Sequence, residues 1–232
     1  KKQPHQLWQG GNYFTLTISY PDGGKVTYVY NNRGQMIEMI DQLNNKTVYT
    51  YDQNGYLSSV TDPCGNTVRY ENDVLGNILK ITDPAGNTTT YEYNNDNKVV
   101  KITDALGHSE TYEYNNRKDL VKKTDKNGRT TLLEYDKRHL LTKIINPLGE
   151  ATEYKYTPDG KISEKIIAGV NHTTYTYDRR GNKISETQVE TGAVTRYQYD
   201  AAGRLIAVTD PNGNRTEYGY NGLGSLTWVR DA

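Results

Sequence analysis

Along most of the chain, apolar and polar positions alternate with period two over short runs, and turn residues separate the runs. In Asn87-Thr88-Thr89-Thr90-Tyr91-Glu92-Tyr93 the β-branched and aromatic residues predict a strand, with Thr89, Tyr91 and Tyr93 on one face and Thr88, Thr90 and Glu92 on the other. A second short run follows, as in Leu205-Ile206-Ala207-Val208-Thr209. Its alternation is imperfect. Leu57, Ile78, Val99, Leu120, Leu141, Ile162, Ile184 and Leu205 share one position. Val60, Ile81, Ile102, Ile144 and Val208 lie three residues later, at the opposite parity. Either this strand bulges or both of its faces are partly covered.

The two-strand unit repeats. Aligned on the second aromatic of Tyr-x-Tyr, the copies fall at Tyr30, Tyr51, Asn72, Tyr93, Tyr114, Tyr135, Tyr156, Tyr177, Tyr199 and Tyr220. Every interval is 21 residues except Tyr177 to Tyr199, which is 22; the extra residue lies between Gly181 and Gly192. The first aromatic is Tyr49, Tyr70, Tyr91, Tyr112, Tyr154, Tyr175, Tyr197 or Tyr218, and Asn72 marks a degenerate copy.

Four residues past the second aromatic stands Gly34, Gly55, Gly76, Gly160, Gly181, Gly203 or Gly224, which predicts a left-handed turn position. Asn97 is a tolerated substitute. Lys118 and His139 break the rule and predict a different conformation in those two turns. The second strand ends in Asp62-Pro63-Cys64-Gly65, Asp83-Pro84-Ala85-Gly86 or Asp210-Pro211-Asn212-Gly213, where Asp, Pro and Gly each favour a turn.

Turn-linked neighbours make an antiparallel meander. The fold expected is all-β: tandem 21-residue, two-stranded repeats forming a long, coiled antiparallel sheet over residues 15–232, with residues 1–14 as a leader or edge cap. About twenty strands would make a ribbon on the order of 95 Å long, and a sheet of that size coils or closes. Trp228-Val229 continues a strand to the last residues, so self-association through sheet edges is expected.

Composition narrows the chemistry. Twenty-one Tyr stand against one Phe and two Trp, which suits a thin structure whose rings pack while their hydroxyls stay wet. Lys and Arg (28) balance Asp and Glu (28), so no electrostatic footprint for nucleic acid or an anionic membrane exists. No apolar run is long enough to span a bilayer, and the start of the chain, which enters mid-pattern, reads as an excerpt of something longer. Cys64 is the single cysteine. His5, His108, His139 and His172 are far apart, no Gly-x-Ser-x-Gly elbow or phosphate loop is present, and no acid–base pair stands out. No catalytic, metal or cofactor site is therefore expected, and the protein is read as not an enzyme. The sequons at Asn45, Asn87, Asn171 and Asn214 read as turn Asn followed by strand Thr.

The motif Tyr-Asp-x-x-Gly-x-Leu, at Tyr51-Asp52-Gln53-Asn54-Gly55-Tyr56-Leu57 and Tyr199-Asp200-Ala201-Ala202-Gly203-Arg204-Leu205, with Tyr177-Asp178-Arg179-Arg180-Gly181 as a half match, resembles the YD repeat of the RHS family. Bacterial Rhs and wall-associated polymorphic toxins, encapsulating components of insecticidal toxin complexes, and animal teneurins share it. The resemblance implies a hollow β-shell in an exported or cell-surface, bacterial protein, enclosing or carrying a C-terminal toxin or other cargo polypeptide. An extended Asp-Pro-x-Gly-Leu signature ends the shell in bacterial members; here Asp210-Pro211-Asn212-Gly213 runs on into Asn214 and another repeat. A recognition surface that binds carbohydrate or another cell-surface protein through Tyr-rich faces is the second reading.

Overall fold

The computed structural model describes residues 3–10 and 13–231. Among the described residues there is no helix, and 22 strands account for the regular structure. Contacts divide the chain into two units, residues 1–112 and 113–232. Within each, every strand pair runs antiparallel between strands consecutive in sequence, as in Lys46–Tyr51 with Leu57–Thr61, or Ala193–Tyr199 with Leu205–Thr209. Within each unit, among the described residues, the strands contact only their sequence neighbours in the sheet. Among described residues only Ala207 and Thr173 reach core-level burial.

The segment set apart as a leader contains a strand. Gln3–Gly10 pairs with Tyr13–Ser19, with a break in register between His5 and Trp8.

The parity conflict in the second strand resolves as a bulge. Tyr51 faces Leu57, but Thr50 faces Ser59 and Tyr49 faces Val60, so Ser58 is the extra residue. Because of that slip, Leu57 and Val60 return to the same face, opposite Tyr51 and Tyr49. The same shift recurs at Tyr30, Asn72, Tyr93, Tyr135, Tyr156, Tyr177, Tyr199 and Tyr220. In the long repeat Tyr177 faces Lys183, so Lys183 takes the apolar position assigned from sequence to Ile184. The extra residue is absorbed beyond it, where the Gly192 N–H reaches back to the Gln188 carbonyl (2.8 Å).

Both turns of a repeat are built alike. In the first, the Gly55 N–H donates to the Asp52 carbonyl (3.0 Å) and the Asp52 N–H to the Tyr56 carbonyl (2.8 Å), with Gly55 at φ 92°. This is a type I turn closed by a left-handed residue. Lys118 (φ 68°) and His139 (φ 65°) adopt the same left-handed state, which corrects the expectation of a different turn at those positions. Closing the hairpin in register demands positive φ of whichever residue stands there. Between Ile162–Ile167 and Asn171–Tyr177 the turn differs: two successive residues, Ala168 (φ 50°) and Gly169 (φ 70°), are left-handed, and the Val170 N–H donates to the Ile167 carbonyl (3.0 Å).

Two substitutions test this backbone reading. Gly55→Val should destabilise the protein by about 1–3 kcal/mol, since a β-branched residue fits positive φ poorly. Ala168→Gly should stabilise it by about 0.5–1 kcal/mol, since Gly adopts that state without strain. Denaturant titration measures both; a neutral Gly55→Val would contradict the turn assignment.

Candidate functional site

The repeat signature recurs along the chain. Its geometry begins at the bulge. The ladder between Leu57–Thr61 and the following strand Thr67–Asn72 starts at Ser59, opposite Arg69, which leaves the Leu57 carbonyl outside it. The Asn72 side-chain amide donates to that carbonyl at 2.9 Å. In other repeats the second Tyr does the same with its hydroxyl: Tyr51 to Met36 (2.8 Å), Tyr93 to Ile78 (2.9 Å), Tyr156 to Leu141 (2.5 Å), Tyr177 to Ile162 (2.8 Å), Tyr199 to Lys183 (3.0 Å) and Tyr220 to Leu205 (2.9 Å). Tyr135 holds the position without this bond. The degenerate copy thus keeps the bond with a shorter side chain. Partial burial pushes the Tyr51, Tyr93, Tyr156 and Tyr199 hydroxyls up, so they remain protonated donors.

The signature acids sit at the head of each turn. Asp52 Oδ1 accepts from the N–H groups of Asn54 and Tyr56 (both 2.9 Å), and Asp178 and Asp200 make the equivalent pairs. Where Asn lies four residues on, the clamp doubles. Asp62 accepts the Asn66 backbone N–H on Oδ1 and the Asn66 side-chain amide on Oδ2, both at 2.8 Å. The Asn side chain is the main cause holding the Asp41, Asp62, Asp73, Asp83, Asp178 and Asp210 carboxyls below the usual range. Asp159 is lowered to about 2, chiefly by the Lys161 ammonium and then the Thr157 hydroxyl.

Three features escaped the sequence reading. The residue between the two Tyr faces a complementary partner nine positions on, across the hairpin and on the non-Tyr face. Glu71 pairs with Lys80 (2.8 Å), Glu92 with Lys101 (3.0 Å), Glu113 with Lys122 (2.7 Å), and the order reverses at Lys155–Glu164 (2.8 Å). Hydroxyls do the same at Thr50–Ser59 and Thr176–Ser185. At the last copy Gly219 faces Trp228, whose indole occupies the space a Cβ would need. The Glu-to-Lys spacing of nine was the available signal. Second, the residue after each left-handed position reaches the next repeat's turn: the Tyr56 ring lies over Gly76, Gln35 Nε2 donates to the Gly55 carbonyl (2.7 Å), and Asp119 meets His139 Nδ1 at 2.5 Å where His replaces Gly. Third, Lys183 stands over the rings of Tyr175 (5.4 Å) and Tyr197 (4.6 Å) and binds Glu186 (2.7 Å), which lets a cation occupy an apolar position.

Tyr30, Tyr49, Tyr70, Tyr91, Tyr112, Tyr114, Tyr154 and Tyr218 lie on the same half-buried face. Gly34, Gly181 and Gly203 hold positive φ. Among the described residues no three His, Cys, Asp or Glu side chains gather around a metal-sized site. Cys64 is exposed at a turn tip.

Comparison with known proteins gives two family matches. The teneurin YD-shell model matches residues 13–157, and the RHS repeat model matches residues 184–215 and 199–232. Among solved structures, TcdB2-TccC3-TEV aligns at TM-score 0.46 and 15% identity over 97% of this chain and 17% of that one. TcdB2-TccC3 without its hypervariable C-terminal region aligns at 0.48 and 15%, over 94% and 16%. A Tc holotoxin pore of Photorhabdus luminescens with mutated TccC3 aligns at 0.45 and 15%, over 97% and 17%. The chain spans about one sixth of the length of these solved chains.

The depressed carboxyls make stability pH-dependent. A carboxyl whose folded pKa lies below its unfolded value stabilises the fold above that unfolded value, and the contribution disappears as pH falls through the folded one. The thermal midpoint should stay level from about pH 7 to 5 and fall steadily towards about pH 2. A midpoint unchanged at about pH 2.5 would contradict the role given to the turn clamps.

Proposed function

Because the chain belongs to the teneurin YD-shell family, we propose that it is a wall segment of an exported or cell-surface β-shell that encloses or carries a cargo polypeptide of the same longer protein. The observation that carries this reading is a sheet without a core. Its Tyr and aliphatic face is only half-covered by neighbouring strands, while the opposite face is laced with Glu–Lys and hydroxyl pairs. A single layer with unlike faces is suited to separating two environments, and its repeat can be extended without redesign. The role proposed is structural and non-enzymatic: the signature side chains are spent on backbone carbonyls, turn amides and cross-strand partners. Bacterial origin, and a toxin as the cargo, belong to this same reading.

Limited proteolysis of the full-length protein tests it. The polypeptide flanking this chain should resist a non-specific protease while the sheet is folded, and become cleavable when acid or denaturant opens the sheet. Cleavage of that flanking polypeptide at the rate of the free peptide, with the sheet intact, would refute enclosure.

A further inference from the structure

In a meander whose turns alternate sides, all first turns of the repeats lie along one long margin and all second turns along the other. Within residues 1–112 the second-turn margin comprises 20–24, 41–45, 62–66, 83–87 and 104–108. It carries Asp22, Asp41, Asp62, Asp83 and Asp104 and no Lys or Arg. Four of its five tips are apolar or small, and the fifth is Asp22. Leu43 and Leu106 are each 81% exposed, and Cys64 and Ala85, also exposed, hold the equivalent places between them. Successive tips are two strands apart, about 9.6 Å.

The opposite margin of residues 113–232 has the complementary character. Its first turns (115–119, 136–140, 157–161, 178–182, 200–204 and 221–225) hold eight Lys or Arg against five Asp. Two successive turns there border an open groove of about 540 Å³, lined by Asp178, Arg180, Ile184, Tyr199, Asp200 and Ile206. Ile184 is 39% exposed and supplies an apolar wall.

We propose that the acidic, leucine-tipped margin is a docking surface for a second copy of this chain, which receives it on its basic first-turn margin. Opposite charge selects which margins meet, and leucine tips enter the grooves between turns. A partner that engages several tips together needs the same two-strand spacing, and the ribbon itself has it. The contact is heterologous, so each added copy leaves one margin of each kind free and growth is open-ended. Tips this exposed contribute little to the fold of their own copy, and their replacement leaves it intact.

Sedimentation velocity across a concentration series tests the proposal on the whole chain. The mean mass should rise with concentration past the dimer, and the rise should shrink at high salt. Leu43→Lys with Leu106→Lys should weaken association at least tenfold without changing the circular dichroism spectrum or thermal midpoint. Val229→Pro, which blocks pairing at the Leu226–Arg230 strand, should leave association in place. A monomer at every concentration, association unaffected by the leucine changes, or association abolished by Val229→Pro would each overturn the proposal.

Discussion

One orphaned carbonyl in each repeat dictates most of what surrounds it. The bulge opposite the second Tyr lets two apolar residues three apart share a face, but it also carries the strand's first residue out of the next ladder. An unpaired carbonyl in a half-covered sheet is costly, so a donor to it stabilises the repeat. The Tyr hydroxyl of the following strand donates to it in at least six repeats, and an Asn amide does so in another. Here lies a physical reason for Tyr rather than Phe at the second position of the repeat: the ring supplies the packing of Phe, and the hydroxyl closes the backbone.

The same economy governs the rest of the molecule. With only Ala207 and Thr173 buried to core level among the described residues, stability is distributed over cross-strand pairs, turn clamps and inter-repeat contacts. Each Asp at a turn head satisfies amides that would otherwise face solvent in a strained loop. Each Glu–Lys pair is exposed and adds little energy, but such pairs disfavour a one-residue slip that would exchange the faces. A Lys within the Tyr ladder at position 183 is tolerated for the same reason: two ring faces and a carboxylate replace the hydration it gives up.

Strands, turns and the all-β repeat were legible in the sequence because period-two alternation and turn residues are local signals. The bulge was visible only as a parity conflict at Leu57 and Val60, and pairing register was needed to choose between bulge and double cover. Lys118 and His139 misled because propensity argues against positive φ, whereas hairpin closure requires it. Ile184 was preferred to Lys183 on hydrophobicity alone; the register shows that place in the repeat is kept even where the residue type changes. The Glu–Lys pairs join residues on different strands, so their complementarity emerges only once the hairpin is closed.

The central claim is that the second Tyr of the repeat, where it reaches the bulge carbonyl as Tyr93 and Tyr220 do, acts through its hydroxyl. Equilibrium denaturation of Tyr93→Phe and Tyr220→Phe, with Tyr91→Phe as the reference, tests it most directly. Removing either hydroxyl leaves a bulge carbonyl unpaired and should cost about 0.5–1.5 kcal/mol each, with Tyr91→Phe close to neutral. Second-position variants as stable as the parent, or no different from Tyr91→Phe, would contradict the account.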